Sequence, residues 1–334
     1  MKRIPLIDLR SFLAIALFGF ILVIASGCAA AEGETEGKPE KIRLDYAYYS
    51  PTSLVLKKFE WAEEVFAEED IEVEWTLSQG SNKALEFLRS DSIDFGSSAG
   101  AAALISKESG APIENVYIYS KPEWTALVTN EGSGIESIKD LKGKNVAATM
   151  GTDPFIFLVR ALDSEGLTIN DITLTNLQHA DGGSALVSGD VDAWAGLDPH
   201  MAKLELEENA QLFFRNADLN TYGFLNVRQE FADKYPEYVN KVIELYERAR
   251  NWVLENPEEA AQLLAEEADI DLEVAKIQME RNDFSNAIPG QVHEDAIVEA
   301  GKVLQDADVL NPDADVEKLT QELINPEYAK EIIE

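Results

Sequence analysis

The sequence predicts an α/β protein built as two lobes around a central cleft and hinge. Two observations carry this. From Ile42 onward, short apolar runs alternate with stretches whose apolar residues recur at three- and four-residue spacing, the pattern of strands alternating with amphipathic helices in a mainly parallel sheet. This rhythm runs twice, with a glycine- and charge-rich break, NEGSGIESIKDLKG, between the runs. A nearly all-helical remainder follows from Gln229. The chain of 334 residues, 46% hydrophobic, is long enough for such cores. The expected division is a signal segment at 1–27, a flexible tether at 28–40, a first lobe from 41–129 and 222–334, and a second lobe from 130–221.

Taken in order, IRLDYAYY reads as a strand, LVLKKFEWAEEVFAEE as one helix and IEVEWTL as a strand. SNKALEFLRS reads as a helix, SIDFGSS as a strand, and AAALISKES as a helix, with VYIYS and WTALVTN after it. In the second run NVAATM and ITLTNL flank the helix DPFIFLVRALDSEG, and SALVSGD ends a helix before the strand VDAWAG. DPHMAKLELEENA opens a further helix, followed by strands QLFFR and GFLNVR. The long amphipathic stretch PEYVNKVIELYERARNWVLENPEEAAQLLAEEA breaks at Pro257.

The N-terminus addresses the chain. Lys2, Arg3 and Arg10 precede the apolar run SFLAIALFGFILVIA, and SGC closes it, the three parts of a secretory signal. IASGC resembles the lipobox of bacterial lipoproteins, which implies Cys28 as the lipid-bearing first residue of the mature chain. Cys28 is the sole cysteine, so no intrachain disulfide forms. AAAEGETEGKPE then reads as a tether. An extracytoplasmic, lipid-anchored location is expected. Net charge is −34, from 62 acidic and 28 basic residues, a field that repels nucleic acid.

Chemical motifs are mostly excluded. No phosphate loop, HExxH, CxxC or GxSxG is present, and none of His179, His200 and His293 pairs with another at ligand spacing. No metal, cofactor or catalytic residue is expected. GDVDAWAGLDPH, with Asp190, Asp192, Asp198 and His200, reads as a strand running into a helix start, with Trp194 either core or one wall of a ligand site. Polar helix starts after strands stand out instead: Gln79–Asn82, Gly96–Gly100 and Met150–Pro154. Together they would form a rim of backbone N–H and hydroxyl donors able to hold an anion without lysine or arginine. Ser81, Ser98, Thr125 and Thr152 rank first by chemistry. Arg160, on a helix, reads as a surface residue.

YAYYSPTSLVL, QGSNKALEFLRSDSIDFGSSAGAAAL, LKGKNVAATMGTDPFIFLVRAL and NLQHADGGSALVSGDVDAWAGLDPHMA resemble the aliphatic-sulfonate-binding proteins of bacterial ABC importers, grouped with nitrate, taurine and thiamine-precursor binders. The resemblance implies a type II periplasmic-binding-protein fold and a non-catalytic protein that captures a small organic anion and docks on a membrane permease dimer. The alternatives on this scaffold are a taurine, nitrate or pyrimidine binder, or a pyrimidine-synthesis-like enzyme. Carried onto this chain, the ligand-contacting loops give Tyr49 and Ser50; Ser81 and Asn82; Ser97, Ser98 and Ala99; Trp124 and Thr125; Gly151, Thr152 and Asp153; His179 and Asp181; and Trp194, Asp198 and Tyr222. A carboxylate beside a sulfonate is unfavourable, so Asp153 is expected to turn away and serve as a cap. Asp192 or Asp198 is left to meet a ligand amine or to orient a neighbour.

Overall fold

The computed structural model describes residues 37–334. The expected signal segment, Cys28 and most of the tether lie outside the described residues. Strands, numbered along the chain, form two sheets. The first contains β1 (Lys41–Tyr46), β2 (Glu72–Leu77), β3 (Phe95–Ala99), β4 (Ile113–Pro122), β10 (Gly223–Arg228) and the short β11 (Asn282–Asp283), in the order β11-β4-β10-β3-β1-β2. The second contains β5 (Thr125–Thr129), β6 (Asn145–Ala148), β7 (Thr173–Asn176), β8 (Ala193–Leu197) and β9 (Gln211–Phe214), in the order β7-β6-β8-β5-β9.

Both sheets are mixed rather than mainly parallel. β1 runs parallel to β2 and β3, and β6 parallel to β7 and β8. β10 runs antiparallel to β3 and β4, and β5 antiparallel to β8 and β9. The reversed internal strand in each sheet is the one by which the chain arrives from the other sheet. Only residues 123–124 separate β4 from β5, too few for the crossover that returns a chain to the same end of a sheet. The first crossing therefore precedes β5, whereas the sequence placed WTALVTN in the first lobe and the boundary after 129. The helix expected over LVLKKFEWAEEVFAEE is also two, Pro51–Lys58 and Trp61–Ala67, because Glu60 is left-handed (φ 55°). That turn brings Phe59 into stacking contact with Trp61 and edge-on to Trp252, with centroids 5.1 and 5.0 Å apart.

Strand alternation sets which residues are core and on which side. In β8, Ala193, Ala195 and Leu197 pack into the main core, whereas Trp194 packs on the opposite face with Leu186 and Met201. The helix His179–Ser188 covers that second face. Its Gly182 is required by close approach, since a Cβ there would sit 2.7 Å from Trp194 Nε1.

Beneath the ends of β1 and β3, buried Asp45 accepts hydrogen bonds from Ser97 N–H and Ser97 Oγ–H, both 2.9 Å. Burial pushes its carboxyl up to about 6, against about 3.9 for an unfolded aspartate. The folded chain thus holds this proton more tightly, so the contribution of Asp45 to stability falls as pH rises from about 4 to 6. Asp45→Asn removes that titration. In urea unfolding, the stability of the wild type relative to this variant is expected to drop by about 1–3 kcal/mol between pH 4 and pH 7. A difference independent of pH would contradict the assignment.

Candidate ligand site between the two sheets

Parallel strands of both sheets end at one cavity of about 220 Å³. The first sheet supplies Tyr48 and Tyr49 after β1, and Leu77, Ser78 and Gln79 at and after the end of β2. The second supplies Gln178, His179, Ala180 and Asp181 after β7, and Leu197, Asp198, Pro199 and His200 at and after the end of β8. This is where open α/β sheets bind ligands. Its wall combines tyrosine rings and aliphatic carbons with neutral hydrogen-bonding groups and the two carboxylates Asp181 and Asp198. Among the described residues, no lysine or arginine lines it.

The helices His179–Ser188 and His200–Glu207 both begin in this wall, so their first N–H groups and positive dipole ends lie there. His179 is 2% exposed. Its Nδ1 lies 3.2 Å from Thr149 Oγ1, and Nε2 is buried with no protein partner. Burial, with a smaller push from His200, lowers its imidazole to about 3, so it is neutral at physiological pH. The backbone of Gly80 passes close by, and a Cβ there would sit 2.8 Å from Nε2.

Asp198 lines the cavity but is engaged. Arg281 Nη1 donates to both its oxygens (3.2 Å each), and Ala202 N–H donates to Oδ1 (2.9 Å). Arg281 also donates to Glu205 (2.6 Å). Burial raises the Asp198 carboxyl to about 6, opposed by Arg281. Asp192 lies elsewhere, with its Oδ2 accepting Asn145 N–H at the far end of β6 (2.8 Å).

A second buried carboxylate holds the crossings. Asp153, at the first turn of the helix Asp153–Ser164, accepts from Trp124 Nε1 (2.8 Å) on the first crossing. It also accepts from Thr221 N–H (3.1 Å) and Thr221 Oγ1–H (2.6 Å) on the return crossing. Thr221 in turn accepts Gly100 N–H on its carbonyl and Ala101 N–H on Oγ1, both 3.0 Å. One carboxylate therefore links the helix starts of both lobes and both connecting segments. Burial raises its proton affinity, and these donors oppose that shift.

Of the sequence-predicted residues, Tyr49, His179, Asp181 and Asp198 meet in the cavity. Asn82 and Gly151 approach one another at a separate recess. Ser50 Oγ and Thr125 Oγ1 are buried without a protein partner, and neither residue lines the cavity. The other positions do not line this cavity. Trp194 is fully buried on the far face of β8. Ser97 serves Asp45, Ser98 Oγ donates to Ala99 O (3.1 Å) and accepts from Asn226 (2.9 Å), and Ser81 Oγ accepts Ala99 N–H (2.9 Å). Thr152 Oγ1 donates to Thr149 O (2.6 Å). Trp124 and Asp153 bind each other, and the Asp153 carboxylate accepts no N–H of its own helix, so it is not the expected cap. Tyr222, left-handed at φ 62°, packs edge-on against His293 at 4.5 Å. Arg160 is buried and binds Leu219 O (2.9 Å) and Glu299 (2.7 Å). Tyr48, Ser78, Gln178 and His200 are additional lining residues, and their signal in sequence was position: each directly follows a strand or its loop.

Two lobes with exchanged reversed strands and a cavity at their strand ends define the periplasmic-binding-protein fold. The chain belongs to the NMT1/THI5-like family, whose model matches residues 62–260. It is 26% identical over 319 residues to a Bacillus subtilis (strain 168) protein named "Putative aliphatic sulfonates-binding protein", covering 94% of this chain and 95% of that one. An Escherichia coli (strain K12) protein of the same name is 29% identical over 259 residues, covering 77% and 79%. Among solved structures, the alkanesulfonate-binding protein SsuA from Xanthomonas axonopodis pv. citri, bound to MOPS, superposes with a TM-score of 0.79 at 22% identity, over 87% of this chain and 99% of that one.

Asp153→Ala would leave three buried donors without an acceptor, at a cost of about 1–3 kcal/mol for each unsatisfied group. The variant is expected to lose at least about 2 kcal/mol in urea unfolding. Wild-type stability in Asp153→Ala would show that the linkage carries little energy.

Proposed function

We propose that this chain is the extracytoplasmic binding component of an ABC importer and captures an aliphatic sulfonate or similar small organic anion in the cavity between the sheets. The observation that carries this is the meeting of strand ends from both sheets at one cavity walled by tyrosines, neutral donors and two helix starts. An alkyl tail suits Tyr48, Tyr49, Leu77 and Leu197, and an anionic head suits N–H groups and the Gln79 and Gln178 amides. The relatives named as sulfonate binders support the same reading. The protein catalyses nothing on its ligand and delivers it to a permease dimer. Cys28 carries the lipid that holds it at the membrane. The contact set we propose is Tyr48, Tyr49, Ser78, Gln79, Gln178, His179 and His200.

The test is calorimetry on the chain from Lys38 with alkanesulfonates, nitrate and pyrimidines. Alkanesulfonates are expected to bind, and binding of a neutral heterocycle with no sulfonate bound would overturn the reading. Gln178→Ala is expected to weaken sulfonate binding about tenfold, the loss of one hydrogen bond of about 1.4 kcal/mol, with Tm unchanged. Ser98→Ala is expected to lower Tm, because Asn226 keeps only its longer bond to Gly96 O, while leaving affinity near that of the wild type. The reverse pattern would move the anion site to the β3 loop.

A further inference from the structure

The hydrogen bonds around His179 fix which of its nitrogens carries the proton. Thr149 has one hydroxyl hydrogen, and Oγ1 donates it to Leu177 O at 2.7 Å. Oγ1 can then only accept from His179 Nδ1, 3.2 Å away. The neutral ring therefore has its hydrogen on Nδ1, and Nε2 presents a bare lone pair. That lone pair is buried without a protein partner in a residue that lines the ligand cavity. A sulfonate carries only acceptor oxygens and negative charge, so placing one against this nitrogen sets lone pair against lone pair.

We propose that His179 determines ligand preference as a neutral hydrogen-bond acceptor, so that the captured anion places an N–H or O–H group, not a sulfonate oxygen, against Nε2. This rests on the sulfonate reading for the anionic end of the ligand and adds a donor-bearing class to it: amino- or hydroxyalkanesulfonates in preference to plain alkanesulfonates. A ligand without a donor offers Nε2 no hydrogen, and protonation of the ring in its place is opposed by burial. The other titratable groups of the cavity are Tyr48, Tyr49, Asp181, His200 and Asp198, the last paired with Arg281. Asp198 changes charge near pH 6, so a pH effect belongs to His179 only if it vanishes with His179 or Thr149 altered.

The experiment compares 2-aminoethanesulfonate, 2-hydroxyethanesulfonate and 1-propanesulfonate by calorimetry on the chain from Lys38, in two non-sulfonate buffers of different ionisation enthalpy. The donor-bearing pair is expected to bind at least about tenfold tighter than propanesulfonate at pH 7.5, the value of one hydrogen bond. Propanesulfonate is expected to bind with proton uptake, and aminoethanesulfonate with none. Thr149→Val frees the tautomer and is expected to narrow the preference, while His179→Phe abolishes it. Equal affinities with no proton uptake, or a preference unchanged in Thr149→Val, would overturn the proposal while leaving the sulfonate reading in place. Failure of all three compounds to bind would overturn the sulfonate reading instead. The acceptor is then decided by histidine ¹⁵N spectra of the unliganded chain, which should show an unprotonated Nε2 at His179. A protonated Nε2 overturns the proposal, whatever the ligand.

Discussion

One buried carboxylate ties together parts of the chain that would otherwise meet only at a cleft. Asp153 begins the helix after β6, receives the Trp124 indole from the outgoing crossing and receives both donors of Thr221 from the return crossing. Thr221 then caps Gly100 and Ala101, the start of the helix after β3. A buried charge is tolerable only when fully hydrogen-bonded, and this one receives three protein donors beside a helix N-terminus. The constraint extends to the ligand cavity, because Trp124 O also accepts Asp198 N–H (3.0 Å) and Asp198 lines the wall. Arg281 and Arg160 add ion pairs from the helical remainder to the second lobe.

The cavity works against the field of the whole chain. At net charge −34, an approaching anion meets long-range repulsion, and no basic side chain in the wall offsets it. What remains is short-range: helix-start N–H groups, amides and hydroxyls, effective only on contact. Asp198 is kept from adding repulsion by its pairing with Arg281. Salt screens the distant charge more than these contacts.

Much of this was legible locally. Apolar alternation located the strands, and prolines at 51, 154, 236 and 257 occupy helix first turns as their fixed φ allows. The expectation of a cleft at strand ends followed from the α/β rhythm, whereas Tyr49, His179, Asp181 and Asp198 came from the family resemblance. The rest depends on partners far along the chain. Whether Trp194 faces core or cleft is decided by which side of β8 the glycines of HADGGSAL pack against. Arg281 is 83 residues from Asp198, and Thr221 is 68 from Asp153. No spacing rule joins them. Ser98 and Thr152 looked like free donors because their type is read from sequence but their acceptors are not. Glu60 gave no sign of its left-handed turn, since glutamate has no preference for that conformation.

The most direct measurement is a crystal structure of the chain from Lys38 grown with an alkanesulfonate. The account predicts the ligand between Tyr48–Tyr49 and Gln178–His179, with the Asp153 bonds to Trp124 and Thr221 intact. A ligand seated instead in the outer groove lined by Val253, Met279 and Phe284, with the cavity between the sheets free of it, would contradict it.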